Sequence, residues 1–287
     1  MYEEGYIDVT GGKVWYEFYN KDSTGTPVFI LHGGPGSSSF SLEGLKELSV
    51  DRPVIIYDQL GCGKSDRPSD TSLWQINRFV EELAQVRHVL KLHEIHILGH
   101  SWGTTLAAAY CLTKPSGVKS VIFSSPCLSA PLWAQDQKKN IEKLPEEVQE
   151  TIKRCEENGT TDSEEFKKAI KAFNKEFVCR IELDPEWVKE NAKNRNQEVY
   201  QTMWGPSEFS VQGNLKTFDC TAQLKDITCP TLYTCGRYDE ATPETTEYYS
   251  SLTPNSSFHV FEKSAHMPYL EEPEEYLRVM RSWFQSL

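Results

Sequence analysis

The sequence predicts an α/β protein: a mostly parallel central sheet with helices on both faces and a helical cap inserted between two of its strands. Three observations predict it. Short, β-rich, nearly continuous apolar runs recur along the chain, as strands buried on both faces of a parallel sheet require. Longer stretches of helical period separate them, which implies right-handed crossovers. One stretch, 134–203, carries no strand pattern, and 29 of its 70 residues are charged.

Taken in order, Ile7–Val9 and Val14–Tyr19 flank Gly11-Gly12 and read as an antiparallel hairpin. Val28–Leu31, Val54–Tyr57, Ile95–Leu98 and Val121–Phe123 read as inner strands, and Thr231–Thr234 and Phe258–Phe261 continue the series. Ser72-Leu73-Trp74-Gln75 fits a capping box, and Ile76, Phe79, Val80, Leu83, Val86, Val89 and Leu90 follow at helical spacing. A second helix is expected from Ser101 to Leu112, stopping before Pro115, and the last from near Pro273 through Phe284. In the charged stretch, Ile141 through Ile152 and Phe166 through Phe177 keep helical spacing. Trp133, Trp187 and Trp204 supply apolar surface to bury, which argues against disorder. The expected division is a core of 1–126 and 214–287 with a helical cap of 127–213.

The chain has 287 residues, with Lys+Arg 30 against Asp+Glu 42 and a net charge of −12. That balance argues against a binder of nucleic acid. The start, Met1-Tyr2-Glu3-Glu4, lacks the basic and apolar regions of a secretory signal, and no apolar run approaches membrane-spanning length. The expectation is a cytoplasmic protein without a membrane partner, its eight cysteines free thiols.

Gly99-His100-Ser101-Trp102-Gly103 matches G-x-S-x-G between a predicted strand and a predicted helix, the context of a nucleophile elbow. Ser101 is the expected nucleophile. Its proton needs a base, and the base an orienting carboxylate. Asp239 follows one late strand and His266 the next, so both reach the strand ends beside Ser101. The oxyanion needs backbone N–H donors. One is Trp102, after the nucleophile. The other comes from His32-Gly33-Gly34-Pro35-Gly36, with Gly34 the choice and Gly33 the alternative.

No cofactor or metal is expected. His93-Glu94-Ile95-His96 lacks the spacing of a helical zinc pair. Gly61-Cys62-Gly63-Lys64-Ser65 ends like a phosphate loop, but Asp58 stands where that loop needs its first glycine. Gly34-Pro35-Gly36 is no dinucleotide fingerprint, because Ser39 breaks the pattern and Pro35 sits inside the turn. Both glycine-rich segments read as tight turns.

Five motifs occur in order: His32-Gly33-Gly34-Pro35-Gly36, Asp58 through Ser65, the elbow, Gly205-Pro206-Ser207-Glu208-Phe209, and Gly236 through Pro243. Together they resemble the proline iminopeptidase (prolyl aminopeptidase) family of α/β-hydrolases, a group that includes tricorn-interacting aminopeptidases. The resemblance spans the chain. It implies the α/β-hydrolase fold, a triad of Ser101, Asp239 and His266, and a pair, Glu208 and Glu240, that holds the free α-amino group of a short peptide. It further implies release of an N-terminal residue, proline, through an acyl-enzyme. The alternatives are an esterase or amino-acid amidase on small acyl substrates, and a binding module without activity. The carboxylate pair argues against the first and the three retained triad residues against the second. Nothing in the sequence reads out the oligomeric state.

Overall fold

A computed structural model describes residues 1–287. Its elements run β1 (Tyr2–Val9), β2 (Gly12–Tyr19), β3 (Val28–Leu31), β4 (Val54–Tyr57), α1 (Ile76–Val89), β5 (Ile95–His100), α2 (Trp102–Leu112) and β6 (Val118–Ser124). Five helices follow: α3 (Ala130–Ile141), α4 (Glu146–Asn158), α5 (Glu164–Phe177), α6 (Pro185–Asn194) and α7 (Gln197–Met203). The sheet then resumes with β7 (Thr231–Gly236), α8 (Pro243–Leu252), β8 (Ser256–Phe261), α9 (Pro268–Glu271) and α10 (Pro273–Gln285).

All eight strands form one sheet in the order β1-β2-β4-β3-β5-β6-β7-β8. β1 and β2 pair antiparallel, as do β2 and β4. Every other pairing is parallel. The inner strands are buried on both faces because alternate side chains serve two cores. Phe29, Ile55, Tyr57, Ile97, Val121, Phe123 and Tyr233 enter the larger core with α1 and α2. Val28, Ile30, Val54, Ile56, Leu98, Ile122 and Leu232 face the other way, onto Tyr276, Met280 and Phe284 of α10. Those three recur every fourth residue, so one stripe of α10 is apolar. A third core, around Phe166, Phe173, Phe177 and Phe209, belongs to the helices between β6 and β7.

Three local expectations change. β1 begins at Tyr2, not near Ile7. Its solvent-facing half is polar, so only the Ile7 and Val9 end showed an apolar signal. Ser72 does not cap α1. Asp70 instead accepts the Ser72 N–H at 3.0 Å and opens a single tight turn, Thr71–Leu73. The chain then extends through Trp74, which is fully buried, before α1 starts at Ile76 without a side-chain cap. The helical spacing from Ile141 to Ile152 is split: α3 ends at Ile141 and Pro145 precedes α4. Proline donates no N–H and disfavours helical backbone in the residue before it, so the helix restarts there.

Candidate active site

Ser101 joins β5 to α2 with φ 55° and ψ −124°. That backbone is strained for a residue with a side chain, and it turns the hydroxyl outward at the sheet edge. The turn is so tight that its flanking positions admit no Cβ. One built on Gly99 would lie 2.3 Å from the Gly103 carbonyl oxygen, and one on Gly103 2.2 Å from that of Leu31. α2 starts immediately behind, and its N-terminus favours negative charge at this point.

Asp239 lies in the loop after β7 and His266 in the loop after β8, both buried. Asp239 Oδ1 accepts from His266 Nδ1 at 2.7 Å and from the Ala241 N–H at 2.8 Å. Its Oδ2 accepts from the Gly236 N–H at 3.2 Å. The ring proton therefore sits on Nδ1, which leaves Nε2 to accept. Burial alone pulls the His266 pKa down; the Asp239 charge and hydrogen bond outweigh it and hold the pKa above its ordinary value. The His266 carbonyl accepts from His100 Nε2 at 2.8 Å and from Ser125 Oγ at 3.2 Å. Residue 100, next to Ser101, is thus hydrogen-bonded directly to residue 266. Burial, then the neighbouring His266, lower His100 to about 3. It stays neutral near pH 7, with Nε2 occupied by the His266 carbonyl.

The loop carrying Gly33 and Gly34 packs against the elbow. A Cβ on Gly33 would lie 3.1 Å from Ser101 Cβ. Gly34 has φ +118° and a cis bond to Pro35. His32 braces this loop: Nδ1 donates to the Gly33 carbonyl at 2.9 Å, and Nε2 accepts the Gln59 N–H at 3.0 Å. Burial keeps His32 below its ordinary pKa. Gln59 completes the brace, donating to the His32 carbonyl at 3.1 Å and accepting from Trp102 Nε1 at 2.8 Å. Gly34, Ser101, Trp102, Trp133, Trp204 and Glu208 all line one narrow cleft beside the elbow.

Glu240 follows the triad acid and is fully buried, yet neither carboxylate oxygen has a hydrogen-bond partner in the chain. Burial, then the charges of Glu208 and Asp239, push its pKa well above the usual carboxylate range. Oε1 lies 3.7 Å from His266 Nε2. Glu208 follows α7 and is partly exposed at the cavity wall. Glu208 and Asp239 both place negative charge near the buried Glu240 carboxylate, which has no counter-charge hydrogen-bonded to it within the chain.

Several residues that build this arrangement carried no motif. Glu271 of α9 accepts the N–H groups of Ala265 at 2.8 Å and Met267 at 3.3 Å, fixing the histidine loop. The last carbonyls of the α5 region do the same from the other side. Phe177 O accepts the Glu240 N–H at 3.1 Å, and Val178 O accepts the His266 N–H at 3.0 Å. Gln59 lies inside the Asp58–Ser65 motif, yet its type alone does not announce its role. No group of three His, Cys, Asp or Glu side chains is placed to hold a metal ion, and all eight cysteines are unpaired.

Residues 26–273 match the family described as alpha/beta hydrolase fold. The proline iminopeptidase of Heyndrickxia coagulans is 72% identical over 288 residues, covering 100% of both chains. Among solved structures, that of VinJ is 34% identical with a TM-score of 0.95, covering 99% of both chains. The proline iminopeptidase of Mycobacterium smegmatis is 30% identical with a TM-score of 0.91, covering 99% of this chain and 98% of the other. Identity at that level over the whole length places the chain in the proline iminopeptidase family of the α/β-hydrolase fold.

Proposed function

We propose that the chain is a serine aminopeptidase that releases N-terminal proline from short peptides. The observation that carries the reading is Glu240, a fully buried carboxylate beside the triad with both oxygens unpartnered. A protonated N-terminal amine supplies the missing counter-charge, shared with Glu208. Charge-assisted hydrogen bonds to it register the first residue of the peptide against Ser101.

In the mechanism, Ser101 Oγ attacks the carbonyl carbon of that residue while His266 Nε2 takes the hydroxyl proton. Asp239 holds Nδ1–H and stabilises the imidazolium. The N–H groups of Trp102 and Gly34, with Gly33 the alternative, meet the oxyanion. His266 then protonates the departing amine of the second residue, leaving an acyl-enzyme on Ser101. The same base draws a proton from water, which attacks the ester and frees proline. The segment 127–213 serves as the cap on a core of 1–126 and 214–287. It delivers Glu208 to the cleft beside Ser101. Unpaired thiols and the absence of any helix long and apolar enough to cross a membrane fit a cytoplasmic setting.

The test compares Pro-naphthylamide with acetyl-Pro-naphthylamide. Acetylation removes the charge that the glutamates hold, so the wild type is expected to cleave the free amine faster by at least two orders of magnitude. Equal rates overturn the aminopeptidase reading in favour of an esterase or amidase.

A further inference from the structure

α3 touches both glutamates through one face. Trp133 Nε1 donates to the Glu208 carbonyl at 2.8 Å. Gln137 Nε2 donates to the Glu240 carbonyl at 2.9 Å. Residues 133 and 137 are one turn apart, so their side chains stand together on the helix surface. The two main-chain positions that bear the carboxylates are therefore pinned to a single rigid rod. Both donors are themselves held. Trp204 packs edge-on to Trp133 with ring centroids 5.7 Å apart and adds a longer bond, 3.4 Å, to the same Glu208 carbonyl. Asn140 Nδ2 donates to Gln137 Oε1 at 3.4 Å, which leaves the Gln137 amide nitrogen directed at Glu240. Between them, buried Asp136 accepts from Thr242 Oγ1 at 2.8 Å, two residues beyond Glu240. Trp133 also meets the ring of His266 edge-on at 5.8 Å.

We propose that α3 sets the separation between Glu208 and Glu240, with Trp133 and Gln137 as positioning residues for the substrate amine. The proposal rests on the amine-binding reading above. Without the rod, two carboxylates that repel one another have no reason to converge. Glu208 comes from the loop after α7 and Glu240 from the loop after β7, and no hydrogen bond links their carboxylates. With it, both face one amine before the substrate arrives, and the ordering cost of binding is reduced. α3 acts through main-chain carbonyls, so its effect falls on amine recognition more than on the triad.

The experiment uses Gln137→Met, which keeps length and apolar volume but loses the amide, and Trp133→Phe, which keeps a ring but loses the N–H. The readout is the ratio of kcat/KM for Pro-naphthylamide to kcat/KM for p-nitrophenyl acetate, an ester with no amine. Removing one such bond is expected to lower the ratio on the order of tenfold, chiefly through KM for the amine substrate. Labelling of Ser101 by a fluorophosphonate verifies an assembled triad in each variant. If only one variant folds, that one carries the test. A ratio equal to wild type in a labelled variant overturns the proposal, whether both activities fall together or neither moves. The underlying reading fails separately, when the wild type itself cleaves acetyl-Pro-naphthylamide as fast as the free amine.

Discussion

Glu240→Gln separates function from stability, because the same burial acts on them in opposite directions. The Glu240 carboxylate is buried, without a hydrogen-bond partner in the chain, and close to two further acids. With substrate amine in place it gains a counter-charge. Losing one partner of a buried, hydrogen-bonded charge pair costs on the order of 2–5 kcal/mol, or roughly 30- to several-thousand-fold in kcat/KM. The stability effect has the other sign. The folded-state pKa of Glu240 is raised, so this group's contribution to stability is fully present below the unfolded value of about 4.3 and is lost as pH climbs through the folded value. Glutamine has no such loss. A neutral amide is also cheaper to bury than a carboxylate. The Glu240→Gln variant is therefore expected to melt higher than wild type near pH 8 and to lose that advantage near pH 4. Each 1 kcal/mol is worth about 2–4 °C in a chain somewhat smaller than this one. Thermal melts at both pH values, beside kcat/KM for Pro-naphthylamide and for p-nitrophenyl acetate, make the assay. Wild-type turnover of the amine substrate by Glu240→Gln refutes the amine site. A lower melting point than wild type at pH 8 refutes the account of Glu240 as an unpaired buried charge.

Three further outcomes follow from the same geometry. Ser101→Ala is expected to lose several orders of magnitude in kcat and all fluorophosphonate labelling while melting no lower than wild type; turnover near wild type in a folded sample counters it. If neutral His266 takes the Ser101 proton, as proposed, its raised pKa is expected to put the acid limb of kcat/KM above the ordinary 6.5. Asp239→Asn removes the raising partner and costs rate severely at every pH; an acid limb that stays in place in any residual activity of that variant contradicts the assignment. Gly103→Ala forces a Cβ to within 2.2 Å of the Leu31 carbonyl oxygen, a backbone atom with little freedom to move. A sharp drop in melting temperature is expected, and a change under 2 °C, in line with about 1 kcal/mol or less, shows that the turn opens easily.

Much of the sheet was legible because two-sided burial writes itself as unbroken apolar runs, as in Val28–Leu31 and Val54–Tyr57. The elbow was legible because glycines at 99 and 103 and a serine between them form a local pattern. The capping box at Ser72 misled because Asp70, two residues earlier, competes for the same N–H and Trp74 needs an extended chain to reach the core. β1 was half hidden, since its outward residues, Tyr2, Glu4 and Tyr6, carry no apolar alternation. Glu208 and Glu240 came to notice through a resemblance, 32 positions apart in the sequence. In the structure α3 holds both main-chain positions, through Trp133 and Gln137, and neither residue carries a sequence pattern that announces such a contact.

The least legible contacts are main chain to main chain, and they tie the helices between β6 and β7 to the loops after β7 and β8. A helix leaves its last carbonyls without intrahelical donors. At the end of α5, Phe177 O is met by the N–H of Glu240 and Val178 O, just beyond the helix, by the N–H of His266. Side-chain identity leaves no trace of such bonds. They mean that one helix end in the inserted segment is satisfied only when the acid loop and the histidine loop are in place, and that both loops lose a partner if that helix moves. α3 adds the bonds to Glu208 and Glu240. His266, the two glutamates and the inserted helices therefore share hydrogen bonds that none can keep alone. On the proposed function, displacing these helices to admit a longer chain would break the bonds to Glu240 and His266, so exclusion of long substrates and assembly of the site would follow from the same contacts.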